Sequence, residues 1–382
     1  MEWAIFILMA TFFLAFANGA NDNFKGVATL FGSGTTDYKK ALTWATLTTL
    51  AGSLTAFFFA TKLVKTFSGK ELVPDALIAS PDFLLAVALG ASATVLMATW
   101  TGIPISTTHG LTGALMGAGL VAVVGAQLKF ATLGKNFFMP LLLSPCLAIG
   151  LTVMVYPIFR WGRQMLGVKS NTCVCMGEKI IPVPGLKCTN GQIIPVAQLR
   201  SWDIFVDEKE SCEAKAVQRY SGKVMGVDAQ QILDFLHFLS AGLVSFARGL
   251  NDTPKIVALS VTTGMLGLKW NIGLVALGVA LGGIISARKV AETMSHRITT
   301  MNHGQGFTAN LITSFLVIFA SKIGVPVSTT HVSCGSLFGV SLANGKAQWK
   351  TIGGILSAWV LTLPVAAMMA ALFYFLFHSM GR

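Results

Sequence analysis

Two clusters of polar residues, each embedded in apolar sequence, occur once in either half of the chain. Phe16-Ala17-Asn18-Gly19-Ala20-Asn21-Asp22, followed by Lys25, has its counterpart in Phe246-Ala247-Arg248-Gly249-Leu250-Asn251-Asp252, followed by Lys255. Gly102-Ile103-Pro104-Ile105-Ser106-Thr107-Thr108-His109 recurs as Gly324-Val325-Pro326-Val327-Ser328-Thr329-Thr330-His331, with only Ile exchanged for Val. The first pair supplies oxygen ligands. An Asp carboxylate, an Asn carbonyl and backbone carbonyls freed at a helix break make the cage that small hard cations such as Na⁺ prefer, and Gly19 and Gly249 sit where such a break is needed. Asn21, Asp22, Asn251 and Asp252 are therefore the candidate sodium ligands. An Asn–Asp pair is also a favoured helix cap, but a cap does not explain why Phe, Ala, Gly and Lys recur in register with it. Lys25 and Lys255, one turn past each Asp, are expected to pair with an acid or to snorkel rather than to ligate.

The second pair carries the opposite chemistry. A proline two residues before Ser106 and Ser328 suits an extended entry followed by a helix whose first turn has free N–H groups. Those donors, the positive end of the helix dipole and the hydroxyls of Ser106, Thr107 and Thr108, or of Ser328, Thr329 and Thr330, would cradle a tetrahedral oxyanion without a full positive charge. His109 and His331 follow as accessory donors or proton shuttles. No arginine clamps both copies, since Arg248 stands where the first copy has Asn18.

These clusters need apolar elements to hold them. Charged residues are 12% of the 382, hydrophobic residues 53%, and mean hydropathy is strongly positive, which marks an all-α polytopic membrane protein. Uncharged runs such as 83–128, 136–159 and 351–381 exceed the roughly 20 residues a helix needs to cross a bilayer. Thirty-nine glycines scattered through them fit closely packed helices and not a β-barrel. The first run, residues 3–20, reads as a membrane segment and not as a cleaved leader, because its continuation through Asn21–Asp22 reappears internally. Apolar segments number about five in each half, near 3–23, 41–62, 82–101, 105–125 and 138–160, then 232–264, 270–287, 305–322, 326–343 and 352–378. An odd count predicts two inverted-topology repeats of about five to six transmembrane or re-entrant segments each, residues 1–160 and 229–382. The Ser-Thr-Thr-His segments, interrupted by Gly and Pro, either cross or dip in and return.

Residues 161–228 form a central insert. The stretch 160–223 holds ten basic and six acidic side chains, a net of +4, which places the insert in the cytoplasm and both termini outside. The overall +12 is on this view mostly a topology signal, with no aromatic–basic pattern for nucleic acid. Cys173, Cys175, Cys188 and Cys212 lie in the insert as a candidate metal or redox group, or as reduced thiols. Cys146 and Cys334, inside apolar segments, are expected to be small packing residues. No HExxH, GxSxG or P-loop signature is present, so an enzyme is not expected.

The paired Gly-x-Asn-Asp motifs and the Pro-x-Ser-Thr-Thr-His repeats together resemble the inorganic phosphate transporter (PiT) family, over nearly the whole chain outside the insert. The resemblance implies a homodimer in the cytoplasmic membrane that imports inorganic phosphate by sodium symport, with sodium ions as co-transported ligands and no organic cofactor. Proton coupling, or sulfate transport by the same architecture, is the alternative that such relatives leave open. It further implies phosphate ligation by Ser106, Thr107, Thr108, Ser328, Thr329 and Thr330 with Asn21 and Asn251, and cation ligation by Asn21, Asp22, Asn251 and Asp252. The run Asn23-Phe24-Lys25-Gly26 departs from the small residues many members carry there, which leaves the local cation geometry open.

Overall fold

The computed structural model describes residues 2–59, 61–68, 72–123, 129–182, 198–208, 210 and 225–380. Each half contributes five long helices: α1 (Glu2–Asp22), α2 (Tyr38–Phe59), α3 (Pro81–Thr101), α4 (Thr107–Ala122) and α5 (Met139–Met165), then α6 (Ala229–Val261), α7 (Leu268–Ser286), α8 (His303–Ile323), α9 (Thr329–Asn344) and α10 (Trp349–Met380). Among the described residues, eight of these are long and apolar enough to cross a bilayer. The exceptions are α4 and α9, 16 residues each, whose length of about 24 Å falls short of roughly 30 Å of hydrocarbon. Phe58, Trp100, Leu142, Trp270 and Val360 each expose two-thirds or more of their surface, the outward apolar face that a lipid solvent requires.

The chain divides into two compact units, one of Met1–Pro157 with His237–Arg382 and one of Ile158–Leu236. In the first, the two halves interlock through reciprocal helix crossings. A Cβ on Gly19 of α1 would collide with the Val279 carbonyl of α7, and one on Gly282 of α7 with the Phe16 carbonyl of α1. The equivalent crossing of α6 and α2 repeats the collision at Gly249 against Thr49 and at Gly52 against Phe246. Without a hydrophobic drive between helices in lipid, such backbone approach is what association rests on, and glycine alone permits it. In the same manner α4 meets α10 at Gly113 and Gly117, while α9 meets α5 at Gly335 and Gly339.

The turns between α3 and α4 and between α8 and α9 are built alike. Gly102 (φ 75°) and Gly324 (φ 80°) end their helices in the left-handed conformation, with Ile103 N–H donating to the Ala98 carbonyl (2.9 Å) and Val325 N–H to the Ala320 carbonyl (3.0 Å), a Schellman stop. Three extended residues follow. Ser106 and Ser328 then cap the next helix, accepting from the backbone N–H of His109 and His331 at 3.1 Å each. Both turns are largely buried and the paired helices pack against each other.

The second unit contains an antiparallel sheet of order β2-β1-β3, from β1 (Thr172–Pro182), β2 (Gln198–Glu208) and β3 (Met225–Asp228). Thr172 pairs with Glu208 and Cys173 with both Asp207 and Asp228. The prolines of this stretch forbid a long helix, and strands take its place.

Candidate functional site

Asp22 closes α1, and Asp252 lies within α6. The glycine break expected before each Asp is absent: α1 runs unbroken through Gly19 and α6 through Gly249, where the missing side chains admit the crossing helices instead. Freed backbone carbonyls are nevertheless present, supplied by Ile105 and Val327 in the extended stretches before the two serines.

Around Lys25 Nζ four oxygens converge. The ammonium donates to Asn21 Oδ1 (2.8 Å), the Ile105 carbonyl (2.7 Å), Thr330 Oγ1 (2.8 Å) and Asp22 Oδ1. Lys255 Nζ repeats this with Asp252 Oδ1 (3.2 Å), the Val327 carbonyl (2.8 Å) and Thr108 Oγ1 (2.8 Å). Each cage thus draws its carboxylate from one half and its threonine from the other. The copies differ at the amide: Asn21 turns its oxygen to the lysine, whereas Asn251 donates through Nδ2 to Val327 O (3.2 Å) and Asp252 Oδ1 (3.0 Å). The two lysines pair with acids as the spacing predicts, but they do so inside the site. Lys25 is 4% exposed and Lys255 1% exposed, so neither snorkels to a surface.

The hydroxyls occupy three kinds of position. Thr107 donates to Asp22 Oδ2 (3.1 Å) and Thr329 to Asp252 Oδ2 (3.3 Å), each orienting the carboxylate of its own half. Thr108 and Thr330 bridge the halves, and Thr330 also donates to the Ile105 carbonyl at 2.9 Å. Ser106 and Ser328 spend their acceptor capacity on the caps. His109 and His331 meet with ring centroids 4.3 Å apart, and His331 stacks on Trp359 at 3.8 Å. His109 Nδ1 and His331 Nε2 find no hydrogen-bond partner among the described residues.

Several participants are not evident from the motifs alone. Asn18 donates to Asp22 Oδ2 and Thr107 Oγ1, both at 3.0 Å. Arg248, its counterpart in the second half, reaches across to Asn18 Oδ1 (3.4 Å), Asn23 Oδ1 (2.8 Å) and Thr49 Oγ1 (2.9 Å). Thr99 accepts from Asn21 (2.9 Å) and Ser321 donates to Asn251 (3.1 Å). The signal for this last pair is positional, because each lies three residues before the helix-ending glycine. The site therefore holds three cationic side chains, Lys25, Lys255 and Arg248, against the two carboxylates, all at most 4% exposed. A cradle free of full positive charge is not what the fold builds.

Two of the four insert cysteines lie in the described part of the second unit. Cys173 is buried on β1 and Cys175 lies on the same strand, while Cys188 and Cys212 fall outside the described residues. Among the described residues no group of three His, Cys, Asp or Glu side chains is placed to hold a metal. Cys334 is fully buried in α9 as a packing residue, whereas Cys146 lies on an exposed face of α5.

Comparison with known proteins agrees with this architecture. The sequence profile of the phosphate transporter family matches residues 18–370. A Pyrococcus abyssi protein named "Putative phosphate permease" is 28% identical over 99% of both chains. The Arabidopsis thaliana chloroplastic inorganic phosphate transporter 2-1 is 26% identical over 97% of this chain and 71% of its own length. A solved structure named as the sodium-dependent phosphate transporter superposes with a TM-score of 0.75, at 23% identity and over 99% of either chain, a likeness of fold. These relatives are transporters and permeases, not enzymes. With its profile match running from the first Asn–Asp cluster almost to the end of α10, the chain belongs to the phosphate transporter family.

Proposed function

We propose that the protein imports inorganic phosphate across the cytoplasmic membrane as a secondary active transporter, with the substrate held between the two halves by Thr107, Thr108, Thr329 and Thr330, the serines that start their helices, and Asn21 and Asn251. The observation that carries this reading is the charge of the sealed site. Three cations and two carboxylates leave one positive charge in a membrane-embedded cluster, where an uncompensated charge is costly, and a monovalent oxyanion such as dihydrogen phosphate offsets it. The threonine hydroxyls, which in this sealed state donate to carboxylates and carbonyls, and the first-turn amides of α4 and α9 are the donors that a phosphate would take over.

Because every residue of the cluster is buried, transport requires the halves to move against each other around it, and the crossover of Thr108 and Thr330 makes each cage depend on both halves. Inverted repeats related in this way rock by alternating access. For the driving ion, the structural neighbour is named for sodium dependence, which makes sodium one candidate and the proton the other. Labelled phosphate uptake into proteoliposomes, with sodium, pH and voltage gradients imposed one at a time, tests the proposal. Uptake driven by an inward cation gradient is expected, with sulfate a poor competitor. Absence of phosphate uptake under every gradient would end the reading, and preferential uptake of sulfate would replace the substrate.

A further inference from the structure

We infer that Lys25 and Lys255 are the resident cations of the two oxygen cages, so that their ammonium groups stand where a transported sodium ion would bind and phosphate is handled without sodium. The inference rests on the site being a phosphate site and goes further in assigning its counter-charges.

The donor set is that of a cation cage. Carboxylate, amide, backbone carbonyl and hydroxyl oxygens meet around Lys25 Nζ, and hard-cation sites are built from such oxygens. The same kind of set, less the amide oxygen, surrounds Lys255 Nζ. An ammonium has three protons and no acceptor. Lys255 spends all three on Asp252, Val327 and Thr108, and Lys25 has four oxygens for its three. Neither keeps a proton to offer a substrate. They are held as fixed charges, not as phosphate-gripping fingers.

A sodium ion has no room beside them. To reach the carboxylate oxygen, the carbonyl and the threonine it would have to displace the ammonium, because two cations sharing the same oxygens repel strongly in a low-dielectric interior. Displacement would push the lysine into surroundings that are themselves sealed: Lys25 and Lys255 are at most 4% exposed, Lys255 lies over the Phe67 ring at 5.7 Å, and Arg248 already supplies a further cation to the cluster. The role that sodium would play, neutralising Asp22 and Asp252 so that an anion can sit nearby, is performed here by side chains that stay with the protein. The spacing makes the device a built feature: each lysine follows its Asp by three residues in both copies and crosses to the threonine of the opposite half.

Two measurements test this on the full-length protein. In the first, radioactive sodium binding to purified wild type is measured directly, without reference to transport. No saturable binding is expected up to tens of millimolar, and stoichiometric binding would overturn the inference whatever the substrate proves to be. In the second, Lys25→Ala and Lys255→Ala are compared with wild type in the same binding assay and in phosphate uptake with sodium replaced by choline. Wild-type uptake is expected to change less than twofold on replacement. The variants are expected to lose at least tenfold in uptake without sodium, to regain part of it when sodium is added, and to bind sodium. Wild-type uptake that falls tenfold in choline, or folded variants that bind no sodium, would show that the lysines do not fill cation cages. Sodium-independent wild-type protein that moves another anion and not phosphate would leave the cages assigned as stated and refute only the substrate.

Discussion

At Asp22 a single carboxylate joins four partners of different origin: its Oδ1 faces Lys25 and Thr330, its Oδ2 accepts from Asn18 and Thr107. Removing one member of a buried ion pair leaves the other uncompensated, at a cost of about 3–5 kcal/mol. Asp22→Asn keeps the shape and removes the charge, and it is expected to lower the thermal unfolding midpoint in detergent and to abolish phosphate uptake. Uptake at the wild-type rate would take the carboxylate out of the mechanism. The bridging hydroxyls predict a milder loss. Thr108→Val and Thr330→Val each remove a lysine's acceptor while preserving volume, and an unmet buried polar partner costs about 1–3 kcal/mol, so phosphate affinity should fall by roughly tenfold or more. Equilibrium binding of labelled phosphate measures it, and unchanged affinity in both variants would show that these hydroxyls only pack. That the duplicated polar residues would gather in one place was legible from their duplication, but the lysine nitrogens inside the oxygen cages were not. One turn of spacing tells that Lys25 faces Asp22; it does not tell that Ile105 and Thr330, 80 and 305 residues away, close the cage around the nitrogen.

Helices α1 and α6 were legible as apolar runs carrying polar clusters, and the cap-and-stop turns were legible from Gly-x-Pro-x-Ser. What the glycines before each Asp were for was not legible, because a helix break and a close helix crossing call for the same residue. The crossing makes a prediction that a break would not. Within α7, Gly282 lies against the Phe16 carbonyl of α1, whereas a Cβ on Gly273 would meet nothing. Gly282→Val forces the helices apart, and such overpacking costs about 1–3 kcal/mol. Gly273→Ala removes a flexible residue from a helix interior and should be neutral or stabilising by about 0.5–1 kcal/mol. Its partner by symmetry, Gly52→Val in α2, should behave as Gly282→Val does. Thermal unfolding of the three variants reads this out; equal midpoints for Gly282→Val and Gly273→Ala would mean that the α1–α7 approach is not what holds the halves together.

On the scale of the molecule, the inverted arrangement expected from an odd number of segments turns on whether the Ser-Thr-Thr-His segments cross or return. Both Ser-Thr-Thr-His turns are buried in the site and not at a membrane face, and α4 and α9 are too short to cross. We propose that each half has three crossing elements and that α3 and α8, although long enough to cross, each form with the short helix that follows a hairpin that enters and returns, which again gives an odd number of crossings. If the Arg160–Lys223 stretch is cytoplasmic, this order would bring Lys39 and Lys40, then Arg288, Lys289 and Arg297, then Lys346 and Lys350 to the same side, as the bias of basic residues predicts. A full crossing by each of α3 and α4 would leave the same ends in the same places but would carry the 102–106 turn to a surface. Single cysteines distinguish the two arrangements. In a background lacking the native cysteines, a cysteine at Lys40 or Lys346 is expected to react with a membrane-impermeant maleimide only after the inner face is opened. One at Gly264, between α6 and α7, is expected to react from outside in intact cells. A cysteine at Ile103 is expected to resist the reagent from both faces until the halves move. Fast labelling of Ile103→Cys from the cytoplasm in the sealed state, or labelling of positions 40 and 264 from the same side, would contradict the hairpin and the inversion respectively.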